Sequence, residues 1–146
     1  MQSLSLSLAK GHRSSHEEHI MTKQQYRVLI VDDELDIMLS LKIVLESNGF
    51  KIQAFTDPLL TLRNFTAGSY DLALLDIRMP KITGLDLYRE LRKIDNKIRV
   101  CFLSATTSFQ EFTKYFPTIK ENQVIKKPVD NQTLIQGINE ICYREF

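Results

Sequence analysis

The sequence predicts a three-layer α/β fold, in which one parallel β-sheet is covered by helices on both faces. Short apolar runs of strand length alternate along the chain with longer segments whose apolar residues recur at helical spacing. Strands that alternate with helices in this way form parallel βαβ units with right-handed crossovers. The 146 residues have room for one ordinary domain with a real hydrophobic core.

Five strands and five helices are predicted, in strict alternation. The strands are expected at residues 27–31, 51–55, 71–75, 98–103 and 123–125. The helices are expected at residues 35–47, 58–66, 85–94, 108–116 and from 130 or 131 to about 144.

In the first half of the chain, turn-forming residues set the limits of the helices. The strand at 27–31 is a continuous apolar run, which is typical of a central strand buried on both faces. The first helix carries its apolar residues at helical spacing and stops at Asn48-Gly49, a C-terminal helix signal. After the second strand, Asp57 can cap a helix, and Pro58 fits the first turn of that helix.

In the second half of the chain, prolines and polar capping residues set the limits of the helices. The third strand is another buried-type run, and a break at Met79-Pro80 separates it from a helix whose apolar residues fall on one side. The fourth and fifth strands are short apolar runs around a weak fourth helix, which Pro117 cuts short. Asp130 or Asn131 caps the last helix.

The composition points to a local site rather than to a charged surface. The formal net charge is +1, so the chain as a whole attracts neither nucleic acid nor an anionic membrane. No apolar stretch reaches the length of a membrane span, and the N-terminal Ser-Leu alternation makes a poor signal peptide. We therefore expect a cytoplasmic protein. The apolar run around Cys101 favours a buried thiol over a disulfide with Cys142.

Residues 1–25 are predicted to be a flexible tail that precedes a domain over residues 26–146. Met21 could be the translation start. The tail holds all three histidines, and a His-rich tract can bind metal. A solvated tail is favoured, because no cysteine or carboxylate cluster completes a ligand set of known geometry. The histidines are His12, His16 and His19.

Polar residues stand at the carboxyl ends of four predicted strands. Asp32 and Asp33 follow the first strand, Asp76 the third and Ser104 the fourth, while the fifth runs into Lys127. Parallel strands bring their carboxyl ends to one edge of the sheet, where doubly wound folds bind ligands. Three uncompensated carboxylates at that edge would raise one another's pKa, and a divalent cation resolves the conflict. Hard oxygen ligands suit Mg²⁺, with Mn²⁺ as the alternative.

Four short motifs carry a resemblance to the response regulator receiver domain over about residues 26–146. They are Val31-Asp32-Asp33-Glu34, Leu74-Leu75-Asp76-Ile77-Arg78-Met79-Pro80 with Gly84, Leu103-Ser104-Ala105, and Lys127-Pro128. Each motif alone is weak, but their order and their positions at strand ends make the resemblance specific. It implies a flavodoxin-like fold with a parallel sheet of order 2-1-3-4-5, in a stand-alone receiver of the chemotaxis type.

The resemblance also implies a role for each residue of the edge. Asp76 is the nucleophile that accepts a phosphoryl group from a histidine kinase or phosphotransfer protein. Lys127 neutralises charge on the phosphoryl oxygens, and the Ser104 hydroxyl bonds the transferred group. Lys127-Pro128 commonly carries a cis peptide in this family. The implied metal ligands are Asp33, Asp76, the backbone carbonyl of Arg78 and, through water, Asp32.

The function implied is that of a phospho-acceptor in a two-component phosphorelay, and not of an enzyme beyond its own phosphorylation and slow dephosphorylation. Its output would be a protein–protein interaction, with an effector or within a homodimer, through a face around residues 108–116, the fifth strand and the last helix. The chain could also be a fragment of a longer regulator.

Three other classes of protein are weighed against this function. A receiver-like scaffold that is never phosphorylated would not need the acidic trio, Ser104 and Lys127. A flavodoxin-like nucleotide or flavin binder needs a glycine- or hydroxyl-rich phosphate loop where this chain has Asp-Asp-Glu. A haloacid-type phosphatase needs a second aspartate two positions after its nucleophile on the first strand.

Two positions depart from the family pattern or extend it. Val124 stands where the family usually has an aromatic residue, so the usual aromatic coupling is absent or rebuilt with Tyr115 or Phe116. Arg78 is a long cation two residues beyond Asp76. We hypothesise that it contacts the phosphoryl group or shields it from water.

Overall fold

Five parallel strands form one sheet in the computed structural model, which describes residues 25–105, 110, 113–114 and 117–143. The strands are β1 Arg27–Val31, β2 Lys51–Phe55, β3 Leu72–Asp76, β4 Arg99–Ser104 and β5 Val124–Lys126. Every neighbouring pair is parallel, in the order β2-β1-β3-β4-β5. The predicted sheet order is confirmed. The topological switch point lies between β1 and β3, because the chain builds outward in opposite directions from these two strands.

Four helices have both ends within the described residues, three of them between strands and one after β5. They are α1 Leu35–Ser47, α2 Pro58–Asn64, α3 Gly84–Ile94 and α4 Asn131–Tyr143, with a 3₁₀ turn at Glu121–Gln123 before β5. Of the helix predicted at 108–116, Gln110, Thr113 and Lys114 are helical and the other residues lie outside the described part of the chain. The predictions for residues 1–24, including Met21 and the three histidines, and for Tyr115 and Phe116 also lie outside it.

The predicted caps position the helix ends. The Asp57 carboxylate accepts a hydrogen bond from the Leu59 amide at 2.9 Å. Of the two candidates for the last helix, Asp130 is the cap, since its carboxylate accepts from the Thr133 amide at 2.8 Å. Gly49 follows α1 with a φ of +91°, a left-handed conformation that favours glycine.

Several predicted boundaries were wrong by one or two residues. Helix α2 ends at Asn64 rather than near residue 66, because Phe65 leaves the helical backbone and buries its ring against Tyr70. Strand β4 begins one residue later than predicted. Strand β5 is shifted toward Lys126 because Gln123 belongs to the 3₁₀ turn, and α3 begins one residue earlier, at Gly84.

The core consists of two layers, one on each face of the sheet. In β1, Val28 and Ile30 face the layer formed with α1 and α4, whereas Leu29 and Val31 face the layer formed with α2 and α3. All four side chains are fully buried. This alternation explains why β1 is apolar at consecutive positions, as is typical of strands covered on both faces.

Both cysteines belong to this interior. Cys101 and Cys142 are buried free thiols, which confirms the interpretation of Cys101 as a core residue rather than half of a disulfide. None of the helices in the described ranges combines the length and the apolar character needed to cross a membrane.

Candidate functional site

Three aspartates converge at the switch point. Val31 of β1 and Leu75 of β3 are partners in the parallel ladder, so the residues that follow them emerge side by side. One carboxylate oxygen from each of Asp32, Asp33 and Asp76 lies within 4.8 Å of the others. Asp32 and Asp76 are buried, whereas Asp33 is exposed at the mouth of the site. The structure thus brings together the acidic trio that the sequence predicted.

Neither of the two aspartates after β1 is the N-cap residue of α1. The residue at the N-cap position is Glu34, and no side chain accepts a capping hydrogen bond there. Oδ1 of Asp32 instead accepts from the Glu34 amide at 3.0 Å, which turns the chain from β1 into α1. The side chains of this Asp-Asp pair are therefore available to the site, where each contributes one oxygen to the acidic cluster.

The loop after β3 is held against Asp76 by a glycine. The Gly84 amide donates to the carbonyl of Ile77 at 2.9 Å. A Cβ at Gly84 would overlap with the backbone carbonyl of Asp76, so only glycine allows this approach. Arg78 lies in this loop with its side chain exposed, and Lys81 has a φ of +74°. The loop therefore has little freedom to move away from the acidic residues.

Lys127 reaches the acidic residues from β5. Its Nζ lies 3.2 Å from Oδ2 of Asp32, 3.3 Å from Oδ1 of Asp76 and 3.6 Å from Oε1 of Glu34. The Lys127-Pro128 peptide is cis, as the resemblance implied. The side chain of Lys127 is mostly buried, so its attraction to the two buried carboxylates is weakly screened by water.

Ser104 completes the edge from β4. It is buried at the carboxyl end of that strand, one residue beyond Leu103, the ladder partner of Asp76. The Ser104 carbonyl accepts from the Lys127 amide at 2.7 Å, and the Leu103 carbonyl accepts from the Ile77 amide at 3.0 Å. These bonds fix the backbone directly after Asp76 and the backbone that carries Lys127.

The electrostatics of the site show an excess of negative charge. The pKa of Asp76 is raised to about 6 by burial, the largest cause, and by the charge of Asp32, against the opposing effect of Lys127. The sequence had predicted repulsion between carboxylates, but burial is the larger cause. For Lys127, burial opposes the charged form, yet Asp32 and Asp76 outweigh it and raise its pKa. One ammonium does not compensate the carboxylates, so the donor set fits a divalent cation.

One residue of the site had no role in the sequence prediction. Glu34 was part of a motif, but its ion pair with Lys127 depends on how β5 and α1 meet in space.

Val124, at the usual aromatic position, packs beside Phe102, its partner in the ladder. The ring of Phe102 makes an edge-to-face contact with Tyr88 of α3 at 5.6 Å between centroids. Among the described residues, the aromatic rings of this core layer that lie on α3 and β4 are Tyr88 and Phe102, and β5 contributes none.

A five-stranded parallel sheet with this acidic edge, and with a lysine reaching it across β4, defines a receiver of two-component signalling. Residues 28–139 match the family described as the response regulator receiver domain. The chain belongs to this family, whose members are phospho-acceptor signalling modules rather than typical enzymes.

The chain is similar to two curated bacterial regulators. It is similar to the transcriptional regulatory protein PrrA of Mycobacterium leprae, with 40% identity over 85 residues that cover 58% of this chain and 36% of that protein. It is 30% identical over 118 residues to the response regulator SaeR of Staphylococcus aureus, covering 80% of this chain and 50% of that protein. The chain thus spans half or less of the length of these curated relatives.

A solved structure shows the same architecture. The crystal structure of a response regulator receiver domain protein from Clostridium thermocellum superposes with a TM-score of 0.69 and 27% sequence identity. The match covers 82% of this chain and 95% of that one. Family, sheet order and likeness to this structure agree on the receiver fold.

Proposed function

We propose that Asp76 is the phosphorylated residue of this receiver and that a histidine kinase or phosphotransfer protein supplies the phosphoryl group. The observation that carries the proposal is the convergence of Asp32, Asp33 and Asp76 at the switch point, with Lys127 3.3 Å from Asp76. Asp76 is the member of this trio that ends a central strand, buried and in contact with the lysine. It therefore presents one fixed carboxylate to an incoming phosphoryl group.

The transfer is a displacement at phosphorus. An ionised oxygen of Asp76 attacks the phosphorus atom, the bond from phosphorus to the donor breaks, and the donor leaves with the electron pair. The product is an acyl phosphate on Asp76. Lys127 neutralises charge that accumulates on the phosphoryl oxygens, and the Ser104 hydroxyl bonds the transferred group.

A divalent cation is part of this proposal. Asp32, Asp33 and Asp76 would hold Mg²⁺ or Mn²⁺, together with the backbone carbonyl of Arg78. When bound, the ion would supply positive charge that offsets both the carboxylates and the phosphoryl oxygens. The convergence of three carboxylates, two of which share one lysine ammonium, supports this assignment.

The output of the phosphorylated chain is proposed to be a protein–protein interaction. Within the chain, residues 26–146 are assigned to the receiver domain and residues 1–25 to a flexible N-terminal tail. The partner is a downstream effector or a second copy of the chain, rather than nucleic acid, since the formal net charge is only +1.

The proposal is tested by incubating the protein with Mg²⁺ and acetyl phosphate and following its intact mass. The wild-type protein should gain the mass of one phosphoryl group, and the Asp76→Asn variant should not. Asp86→Asn is a matched control, because Asp86 is an exposed carboxylate in the first turn of α3. A wild-type protein that never gains this mass would refute the proposal.

A further inference from the structure

Lys127 has three carboxylate neighbours, and one of them stands outside the acidic trio. Its Nζ is within 3.3 Å of Asp32 and Asp76 and 3.6 Å from Glu34. An ammonium carries three N–H donors and can face three acceptors at once. The oxygens that converge within 4.8 Å belong to Asp32, Asp33 and Asp76, so Glu34 pairs with the lysine without being a member of that trio.

The backbone of Glu34 is fixed on both sides. Its amide donates to Oδ1 of Asp32 at 3.0 Å, and its carbonyl accepts the first bond of α1, from the Met38 amide, at 3.0 Å. Its side chain is 61% exposed, whereas that of Asp32 is fully buried. Because the main chain is anchored, the reach of the carboxylate toward Lys127 depends on the length of the side chain.

A cation bound by the trio would change the balance around Lys127. It would offset the charges of Asp32 and Asp76 and repel the ammonium at the same time. Glu34 would keep its full charge, since it lies outside the trio. Of the three neighbours, it is the one whose attraction for Lys127 does not depend on whether a cation is bound.

We propose that Glu34 is a positioning residue, which keeps the Lys127 ammonium at the mouth of the site while Asp32 and Asp76 hold a cation. The inference rests on the proposed function, because Lys127 has to be at this place to meet the phosphoryl oxygens. Glu34 does not touch the reacting atoms. It acts through Lys127, and both the length and the charge of its side chain matter.

The kinetic test compares Glu34→Gln, Glu34→Asp and Asp36→Asn with the wild-type protein in phosphorylation by acetyl phosphate and Mg²⁺. Glu34→Gln should lower the maximal rate by roughly 2- to 5-fold, the upper part of the range expected of one largely exposed ion pair. The KM for acetyl phosphate should not rise, since removing an acid weakens the repulsion of an anionic donor. Asp36→Asn removes the same charge two residues away and should leave the rate unchanged.

The Glu34→Asp variant separates reach from charge. Aspartate keeps the charge but is one methylene shorter. The distance from Oε1 of Glu34 to Nζ of Lys127 is already 3.6 Å, so the shorter side chain should not reach the ammonium. If Glu34 positions Lys127, Glu34→Asp should be as slow as Glu34→Gln. An Asp variant that matches the wild-type rate would show that charge alone matters and would overturn the inference.

A second readout does not depend on phosphorylation. Limited acylation of lysines, followed by peptide mass spectrometry, gives the labelling of Lys127 relative to the exposed neighbour Lys126 in the same peptide. Glu34→Gln should raise this ratio several-fold when Mg²⁺ is present and less in EDTA. Asp36→Asn should leave the ratio unchanged.

The outcomes distinguish the inference from the proposed function. A wild-type protein that is phosphorylated at Asp76, together with unchanged rate and labelling in Glu34→Gln, would overturn the role of Glu34 alone. A wild-type protein that is not phosphorylated would overturn both.

Discussion

The ammonium nitrogen of Lys127 lies 3.3 Å from Oδ1 of Asp76, so the end of β5 is tied to the end of β3 across the intervening strand β4. The same nitrogen reaches Asp32 after β1 at 3.2 Å. The side chain of Lys127 therefore links the carboxyl ends of β1, β3 and β5. The site depends on this link, because the buried carboxylates would otherwise face each other without a compensating charge.

Removing the charge of Lys127 should have opposite effects on metal binding and on phosphorylation. In Lys127→Met the ammonium no longer competes for Asp32 and Asp76, so we expect Mg²⁺ to bind about 3- to 10-fold more tightly. Phosphorylation by acetyl phosphate should nevertheless slow by more than about 10-fold, since charge on the phosphoryl oxygens is no longer neutralised. Titration calorimetry and intact mass measure the two effects. Lys126→Met is the control, and weaker Mg²⁺ binding in Lys127→Met would contradict the account.

The raised pKa of Asp76 makes a prediction about stability in the absence of metal. An acid whose pKa rises on folding, here from 3.8 to about 6, destabilises the folded protein when it is ionised. The folded protein therefore loses stability as the pH rises from about 4 to about 6, and it regains that stability as the pH falls back toward 4. At neutral pH, Asp76→Asn should therefore raise the free energy of unfolding by about 1–3 kcal/mol. Urea denaturation in EDTA should show the gain shrinking as the pH falls from about 6 to about 4, and a constant gain would rule out this origin.

The Gly84 contact with Asp76 predicts an unusually damaging Gly-to-Ala change. In Gly84→Ala the new Cβ overlaps with the Asp76 carbonyl, so the loop must move away from the site. We expect a loss of about 1–3 kcal/mol of stability, as for overpacked positions, and strongly reduced phosphorylation. Gly49→Ala is the matched control, because it meets only a positive φ with open space around it. It should lose stability but keep phosphorylation, and equal phosphorylation in both variants would argue against the contact.

The position of Arg78 leads us to predict that removing its side chain shortens the lifetime of the acyl phosphate. Its side chain is exposed and leaves the loop two residues beyond Asp76. If it shields the phosphoryl group from water, Arg78→Ala should lose phosphate several-fold faster than the wild-type protein after the donor is removed. Lys81→Gly removes a cation from the same loop and suits the positive φ there, so it serves as the control. Equal dephosphorylation rates in Arg78→Ala and wild type would remove the hypothesis.

Most of the fold could be predicted because local signals and topology agree. The continuous apolar character of β1 and β3 reflects burial on both faces, and Asp57, Gly49 and Asp130 mark helix ends through local backbone chemistry. The boundaries that were wrong depend on tertiary contacts. Helix α2 stops early because Phe65 packs against Tyr70, which no local rule anticipates.

The candidate site was predictable for a related reason. The carboxyl ends of parallel strands share one edge, so Asp32, Asp76 and Lys127 had to meet there once the strands were placed. The pairing of Glu34 with Lys127 could not be predicted, because it depends on side-chain reach between α1 and β5. Burial as the main cause of the raised pKa of Asp76 likewise requires the packed structure.

The central claim is that Asp76 carries the phosphoryl group, and mapping the modified residue tests it most directly. Borohydride reduces an acyl phosphate to an alcohol and so marks the residue that carried it. After phosphorylation with acetyl phosphate and Mg²⁺, peptide mass spectrometry should find the mark on Asp76 in the wild-type protein and no mark in Asp76→Asn. A mark on Asp33 or another carboxylate, with Asp76 unmodified, would contradict the account.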